Sequence, residues 1–261
     1  MATIRSNGID LYYETAGQGE PLLLLHGLGS RSEDWQLQTP VFAQHYRVVV
    51  ADMRGHGRSA KPPGPYSVPM MAADVIGLLD GLGIAAAHVV GLSMGGMIAF
   101  QLAADRPERV RSLVIVNSGP ELVAHTLSER RQIVQRLLLA RLFNPERTAR
   151  FLGPRLFPKP EQEQVRAMFA AQWAQNDPRA YRAAMRALVG WSVLDRVGAI
   201  ACPTLVISGD RDYTPVAAKA RYVALMPNAR LEVIADSGHA TPIDQPERFN
   251  GCVLEFLAAA G

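Results

Sequence analysis

His88-Val89-Val90-Gly91-Leu92-Ser93-Met94-Gly95-Gly96 holds a serine between two glycines, where an apolar run gives way to a helical pattern. The run reads as a buried strand, and Met97, Ile98, Phe100, Leu102 and Ala103 recur as in an amphipathic helix. A serine in so sharp a strand-to-helix turn takes strained backbone angles and crowds the positions two before and two after it. Glycine at 91 and 95 removes the side chains that would collide there. The turn aims the Ser93 hydroxyl out of the C-terminal edge of a sheet, where the first free N–H groups of the helix also point.

Residues 3 to 14 alternate around Asn7-Gly8 and predict a hairpin. Leu22-Leu23-Leu24-Leu25 has no alternation, which fits a strand buried on both faces of a parallel sheet. A helix is expected around Trp35 to Gln44, then strand Arg47 to Ala51, helix 68 to 82, strand Ala87 to Val90, helix 94 to 105 and strand Val110 to Val116. From about Glu121 to Val197 only helical patterns occur, broken by Pro154, Pro158, Pro160 and Pro178. The strand pattern resumes at Pro203-Thr204-Leu205-Val206-Ile207-Ser208-Gly209. A helix at 216 to 225, a strand from Arg230 to Ile234 and a terminal helix at 246 to 259 close the series. The expected fold class is α/β, with a mostly parallel central sheet covered by helices on both faces. Residues 1–119 and 198–261 would form the core, and 120–197 a helical insertion.

The 261 residues suit one large domain, with 48% hydrophobic and 20% charged residues. Cys202 and Cys252 form no disulfide framework and no metal pattern, and read as small core residues. The N-terminus leads straight into a strand pattern instead of a signal peptide, and no apolar run is long enough to span a bilayer, so a cytoplasmic protein is expected. Net charge is +3, with 24 Arg against 3 Lys, but the arginines are interspersed with acids, which argues against nucleic-acid binding.

A serine hydroxyl needs a base within hydrogen-bond reach and a third group to orient that base. Of six histidines, His239 in Asp236-Ser237-Gly238-His239-Ala240 follows the last predicted strand, at the sheet edge expected for Ser93. His88 lies at the wrong end of its strand; His26 and His56 read as structural residues of glycine loops, and His45 and His125 lack supporting context. Gly209-Asp210-Arg211-Asp212 supplies the acid. Asp210 suits a local turn role, which favours Asp212, and Asp236 and Asp244 are weaker competitors. Two N–H groups would bind an oxyanion: that of Met94, after the serine, and that of Leu28 in His26-Gly27-Leu28-Gly29.

The order Ser93, Asp212, His239, with His26-Gly27-Leu28-Gly29 and Asp52-Met53-Arg54-Gly55-His56-Gly57-Arg58-Ser59, resembles the α/β-hydrolase superfamily. The resemblance covers the chain except the helical insertion, which is similar to the family's variable cap. It implies a Gly-x-x-Asp acid, matching Asp212, and a base in a Ser/Gly-His loop, matching His239. The elbow is similar to those of serine carboxylesterases and 3-oxoadipate enol-lactonases, and His26 tilts the reading towards the esterases. Serine at 93 argues against haloalkane dehalogenases and epoxide hydrolases. Leu92 and Ala240 depart from the carbon–carbon bond hydrolases, and the Gly-Gly-Ser-Trp-Gly of proline iminopeptidases is absent.

The resemblance therefore implies a serine hydrolase acting on carboxylic esters of small to medium acyl or alcohol groups, without metal or organic cofactor. Enol-lactone hydrolysis and cofactor-free perhydrolysis are the nearest alternatives, and a ligand receptor that retains the triad is a remote one. The partner is a small-molecule ester or lactone, with no nucleic acid and no membrane, and a homo-oligomer stays open. Between 120 and 200, 12 Arg and Lys159 face 7 acids. Most such imbalance is a solvated face; the sharper expectation is that Arg130 or Arg131 meets a substrate carboxylate. Trp35 and Trp191, with Tyr66 and Trp173, are expected either in an apolar acyl pocket or in the core.

Overall fold

The computed structural model describes residues 2–260, so residues 1 and 261 of the expected core lie outside the description. Strands β1 (Ala2–Ser6) and β2 (Ile9–Ala16) form the hairpin around Asn7 and Gly8, both at positive φ. Then come β3 (Pro21–Leu25), α1 (Thr39–Phe42), β4 (Arg47–Ala51), α2 (Val68–Gly81), β5 (Ala87–Leu92), α3 (Met94–Asp105) and β6 (Val110–Val116). Between β6 and the next strand run α4 (Leu127–Leu142), α5 (Pro145–Leu156), α6 (Glu163–Trp173) and α7 (Pro178–Leu188). The chain ends with β7 (Thr204–Gly209), α8 (Val216–Val223), β8 (Ala229–Ile234), α9 (Thr241–Asp244) and α10 (Pro246–Ala260).

The eight strands form one sheet in the order β1-β2-β4-β3-β5-β6-β7-β8, antiparallel at β1/β2 and β2/β4 and parallel elsewhere. The four leucines of β3 are fully buried and split by parity. Leu23 and Leu25 join Val49, Val89, Leu113 and Val206 under α2 and α3, while Leu22 and Leu24 join Val48, Val90, Val114 and Leu205 under α1 and α10. Period-two side-chain alternation in a sheet covered on both faces produces this division. Parallel strands place their C-terminal ends on one edge, and the loops after β3, β5, β7 and β8 meet there.

One expected helix is broken. Trp35 to Gln44 folds as a 3-10 turn (Ser32–Trp35) and the short α1, with Pro40 in the first turn. Proline has no N–H to continue a helix begun earlier, and it fits only near a helix start. In the opposite sense, Pro154 is accommodated inside α5, close to its C-terminal end. Among the described residues no helix is long and apolar enough to cross a membrane. Cys202 and Cys252 are free and half-buried.

Two buried histidines brace the loops that approach Ser93. His26 Nδ1–H donates to the Gly27 carbonyl (2.8 Å), and its Nε2 accepts the Met53 N–H (2.9 Å). His56 Nδ1–H donates to the Arg54 carbonyl (3.0 Å), and its ring packs edge-on to His26 at 5.1 Å. Asp52 joins the same loops by accepting the N–H groups of Ser32 and Arg58, each at 2.7 Å. Burial holds both imidazoles below the ordinary histidine range, and His56 lies at about 3. Unfolding returns His56 to the ordinary histidine value of 6.5, so the unfolded chain binds more protons between those limits. The sign is then fixed: stability is highest above pH 6.5 and falls as the pH drops towards 3, by up to ~5 kcal/mol from this group alone. Urea unfolding of wild type and His56→Gln across that window tests this. The variant is expected to lose midpoint less steeply on acidification, and parallel curves would refute the assignment.

Candidate active site

Ser93 joins β5 to α3 with φ 53° and ψ −113°, a conformation that costs about 1–3 kcal/mol in a non-glycine residue. Its surroundings enforce that conformation. The Ser93 N–H donates to the Val116 carbonyl of β6 (3.0 Å), and its own carbonyl accepts the Ser118 hydroxyl (2.6 Å) and the Met97 N–H (3.1 Å). A Cβ on Gly91 would lie 2.4 Å from the Gly95 oxygen, and one on Gly95 only 2.1 Å from the Leu25 oxygen. Both approaches are backbone against backbone, so no rotamer change could relieve them.

His239 is presented by the loop after β8. Its N–H donates to the Leu156 carbonyl at the end of α5 (3.1 Å), and its carbonyl accepts the Asn117 Nδ2–H (2.7 Å). The imidazole Nδ1 lies 2.8 Å from Asp212 Oδ1. Because an ionised carboxylate only accepts, Nδ1 carries the hydrogen and Nε2 presents a lone pair to the site. Burial pushes the Asp212 carboxyl up, but His239 and then Lys219 override it and hold the group well below the usual carboxylate range.

Lys219, on α8, has only 2% of its side chain exposed. It donates to Asp212 Oδ2 (2.6 Å), the Thr214 carbonyl (2.8 Å) and the Thr214 hydroxyl (2.8 Å). Burial pulls its ammonium below the ordinary lysine value while Asp212 pulls it back. Asp212 therefore divides its two oxygens between His239 and a buried cation.

The competing groups are engaged elsewhere. Asp210 accepts the Ser237 N–H (2.9 Å), Asp236 pairs with Arg211 (2.9 Å) and Lys159 (3.1 Å), and Asp244 accepts the Gly238 N–H (2.6 Å). His88 is buried on β5 between Ser112 (2.8 Å) and Glu20 (3.2 Å). The Gly27-Leu28 turn abuts Ser93, since a Cβ on Gly27 would sit 3.6 Å from Ser93 Cβ. Among the described residues the Leu28 and Met94 N–H groups are not engaged by loop or turn carbonyls.

The cavity over Ser93 is lined by Leu28, Leu92 and Ala240 from the sheet edge, and by Arg136, Leu152, Leu156, Phe169 and Trp173 from α4, α5 and α6. It encloses about 40 Å3 of free space, room for a few waters. The expectation for its walls needs correction. Trp35 is buried on the opposite face of the sheet against Phe249, with ring centroids 6.3 Å apart. Trp191 donates Nε1–H to Gln101 (2.7 Å) in the core, and the Tyr66 hydroxyl is bound to the Pro62 carbonyl. Arg130 and Arg131 are exposed on an outer groove of α4 beside Leu127 and Val134.

The cation that lines the site is Arg136. Leu139 and Ala140 are the buried residues of α4, and Arg136 precedes them by three and four positions. At ~100° per residue those spacings share a face, whereas Arg130 and Arg131 lie ~120–140° round the helix from Arg136. Two further residues lacked a sequence signal. The Tyr213 hydroxyl lies 3.2 Å from His239 Nε2, with the two rings 4.4 Å apart. Asn117, at φ 45°, donates to His239 O and Thr241 Oγ1 (2.7 Å each) and accepts the Gly209 N–H (2.9 Å), fastening the loop of His239 to the end of β7.

The family profile described as the α/β hydrolase fold matches residues 20–246. The chain belongs to that family. The enol-lactonase from Burkholderia xenovorans superposes on this α/β hydrolase with a TM-score of 0.92 at 28% identity, covering 98% of this chain and 100% of that one. A thermophilic esterase from Thermogutta terrifontis superposes at 0.90 with 27% identity, covering 100% and 99%. RutD of Caulobacter vibrioides, a protein named for carbamate hydrolysis, is 33% identical over 261 residues, covering 96% of each chain. These relatives support a hydrolase and differ among ester, lactone and carbamate.

The shared Asp212 generates a test by double-mutant cycle. Lys219→Met leaves a buried carboxylate short of a partner and is expected to cost about 3–5 kcal/mol of unfolding free energy. In an Asp212→Asn background the same substitution is expected to cost little, because it then removes an unpaired buried cation. Equal costs in both backgrounds, measured by urea denaturation, would show that the two side chains are not coupled.

Proposed function

We propose that this hydrolase cleaves carboxylic esters, lactones included, through Ser93, His239 and Asp212, with residues 120–197 acting as a cap over the acyl group. The observation that carries the reading is the His239–Asp212 pair at 2.8 Å, beside a serine held at φ 53° on an elbow. In this reading Ser93 attacks the acyl carbonyl as His239 Nε2 takes its proton, and Asp212 steadies the imidazolium. The Met94 and Leu28 N–H groups bind the oxyanion, and His239 returns the proton to the leaving alcohol. Water then attacks the acyl-enzyme, again with His239 as base, and the acid is released. The lactone reading differs only in that the leaving alcohol stays tethered to the acyl group, and the likeness to the Burkholderia enol-lactonase supports keeping it.

The apolar walls from Leu152, Leu156, Phe169 and Trp173 and the small cavity favour short acyl groups. Hydrolysis of p-nitrophenyl esters from acetate to dodecanoate, with several lactones, tests the proposal. Short esters are expected to turn over fastest, and Ser93→Ala to lower kcat by about 10^4-fold or more. The melting temperature of Ser93→Ala is expected to hold or rise, since alanine removes no buried packing. Near-native turnover in the folded variant would end the assignment of Ser93 as nucleophile.

A further inference from the structure

The insertion between β6 and β7 touches both loops that flank Ser93, with polar groups as well as apolar ones. At the C-terminal end of α6, Arg31 donates to the Gln172 carbonyl (2.8 Å) and Asn176 Nδ2–H donates to the Gly29 carbonyl (2.7 Å). A Cβ on Gly29 would meet the Trp173 ring at 2.6 Å. At the other end, the segment between α5 and α6 lies on the loop of His239. The Leu156 carbonyl accepts the His239 N–H (3.1 Å), and a Cβ on Gly238 would stand 2.6 Å from the Leu156 oxygen.

Lys159 belongs to that second contact. Its Nζ stands 3.1 Å from Asp236 Oδ2 and 3.0 Å from Asp244 Oδ1, the carboxylates at the two ends of the loop 236–244. One ammonium therefore ties the ends of the loop together, with His239 between them. Asp244 passes the contact on: its Oδ2 accepts the N–H of Gly238, the residue before His239 (2.6 Å), while Gln162 donates to its Oδ1. The lysine is braced from its own side, since its N–H donates to Gln162 Oε1 (2.9 Å) and Arg166 on α6 donates to its carbonyl (2.8 Å). Its side chain is 10% exposed and that of Asp244 only 1%. Burial pulls the ammonium down, but Asp244 and then Asp236 override it and hold the group above the ordinary lysine range.

The charges decide what this lysine does. Two carboxylate oxygens that share one ammonium stand no more than about 6 Å apart. Without the cation they repel, and Asp244 has almost no water to screen it. Arg211 offsets Asp236 from the outer side (2.9 Å), but among the described residues no other cation pairs with Asp244. We propose that Lys159 is a positioning residue for His239: its ammonium, supplied by the insertion, closes the loop 236–244 and so sets where the imidazole meets Ser93. This inference rests on the ester-hydrolase reading, in which His239 must reach Ser93. The bond to Asp212 fixes one ring nitrogen, and closure of the loop fixes the main chain that carries the ring. The segment between α5 and α6 then acts on the reaction itself and not only on the shape of the cavity.

The test follows p-nitrophenyl acetate hydrolysis in variants whose melting temperatures show them folded. Lys159→Met is expected to lower kcat roughly ten- to a hundredfold with little change in KM, because His239 is displaced. Lys159→Gln, milder because it keeps a donor, is run beside it with the same expected direction. Lys159→Arg is expected to keep most of the rate, since it keeps the charge, and Asp236→Asn alone to stay near wild type. The double variant Asp236→Asn, Lys159→Met is expected to recover most of the loss, because it removes the repulsion. A lysine of purely structural value gives the opposite order, with the double variant no faster than Lys159→Met and less stable. That order, an unchanged kcat in Lys159→Met and Lys159→Gln, or a rise in KM at constant kcat overturns the positioning role and leaves the hydrolase standing. Absence of Ser93-dependent turnover in wild type removes the hydrolase reading and this inference with it.

Discussion

One backbone crossing, where β5 turns into α3 against the end of β3, constrains the rest of the molecule. With no room for a Cβ at Gly91 or Gly95, the first turn of α3 presses directly on the carbonyl of Leu25. The contact sets how close the loop after β3 comes to Ser93. The angles of Ser93 are the cost of this crossing. The hydrogen bonds to Val116 and Ser118 supply what offsets it, so β6 is part of the elbow although it contributes no reacting atom.

The same edge shows how a site is made rigid by spending polar groups on backbone. Asn117 holds the end of β7 and the loop that bears His239, so Asp212 and His239 cannot drift apart without breaking its bonds. His26 and Asp52 do the same for the loops after β3 and β4. Lys219 acts differently: its charge keeps Asp212 ionised in a buried setting, but it also draws on the field that Asp212 would otherwise lend wholly to the imidazolium. Asp212 is thus held firmly in place, with its charge shared between two partners.

Legibility in the sequence followed the locality of each constraint. The elbow, the buried leucine run of β3 and the Asn7-Gly8 turn were readable because each is dictated within a few residues. The turn role of Asp210 was readable because the residue next to a turn glycine is taken by the turn, and Asp210 does bind the Ser237 N–H. Trp35 and Trp191 were not assignable, since a tryptophan in an apolar stretch fits either face of a sheet or a pocket wall with the same local pattern. Asn117 and Tyr213 act on residues more than twenty positions away, and nothing beside them in the chain marks that reach.

The helical segment between β6 and β7 resisted reading for a physical reason of its own. Among its helices α4 buries only Leu139 and Ala140, whereas α5, α6 and α7 each bury a fuller face. The hydrophobic pattern of α4 therefore carries little phase information, and arginines all round that helix look alike in sequence. Yet one helical phase decides which of them enters the site, and the two buried residues were enough to choose Arg136 once their burial was known. A helix that buries so little can change that phase, or the residue at the chosen position, without disturbing Ser93, His239 and Asp212 beneath it. Relatives that share this fold carry names for ester, lactone and carbamate chemistry, as is usual where function lives in sites grafted on a common scaffold.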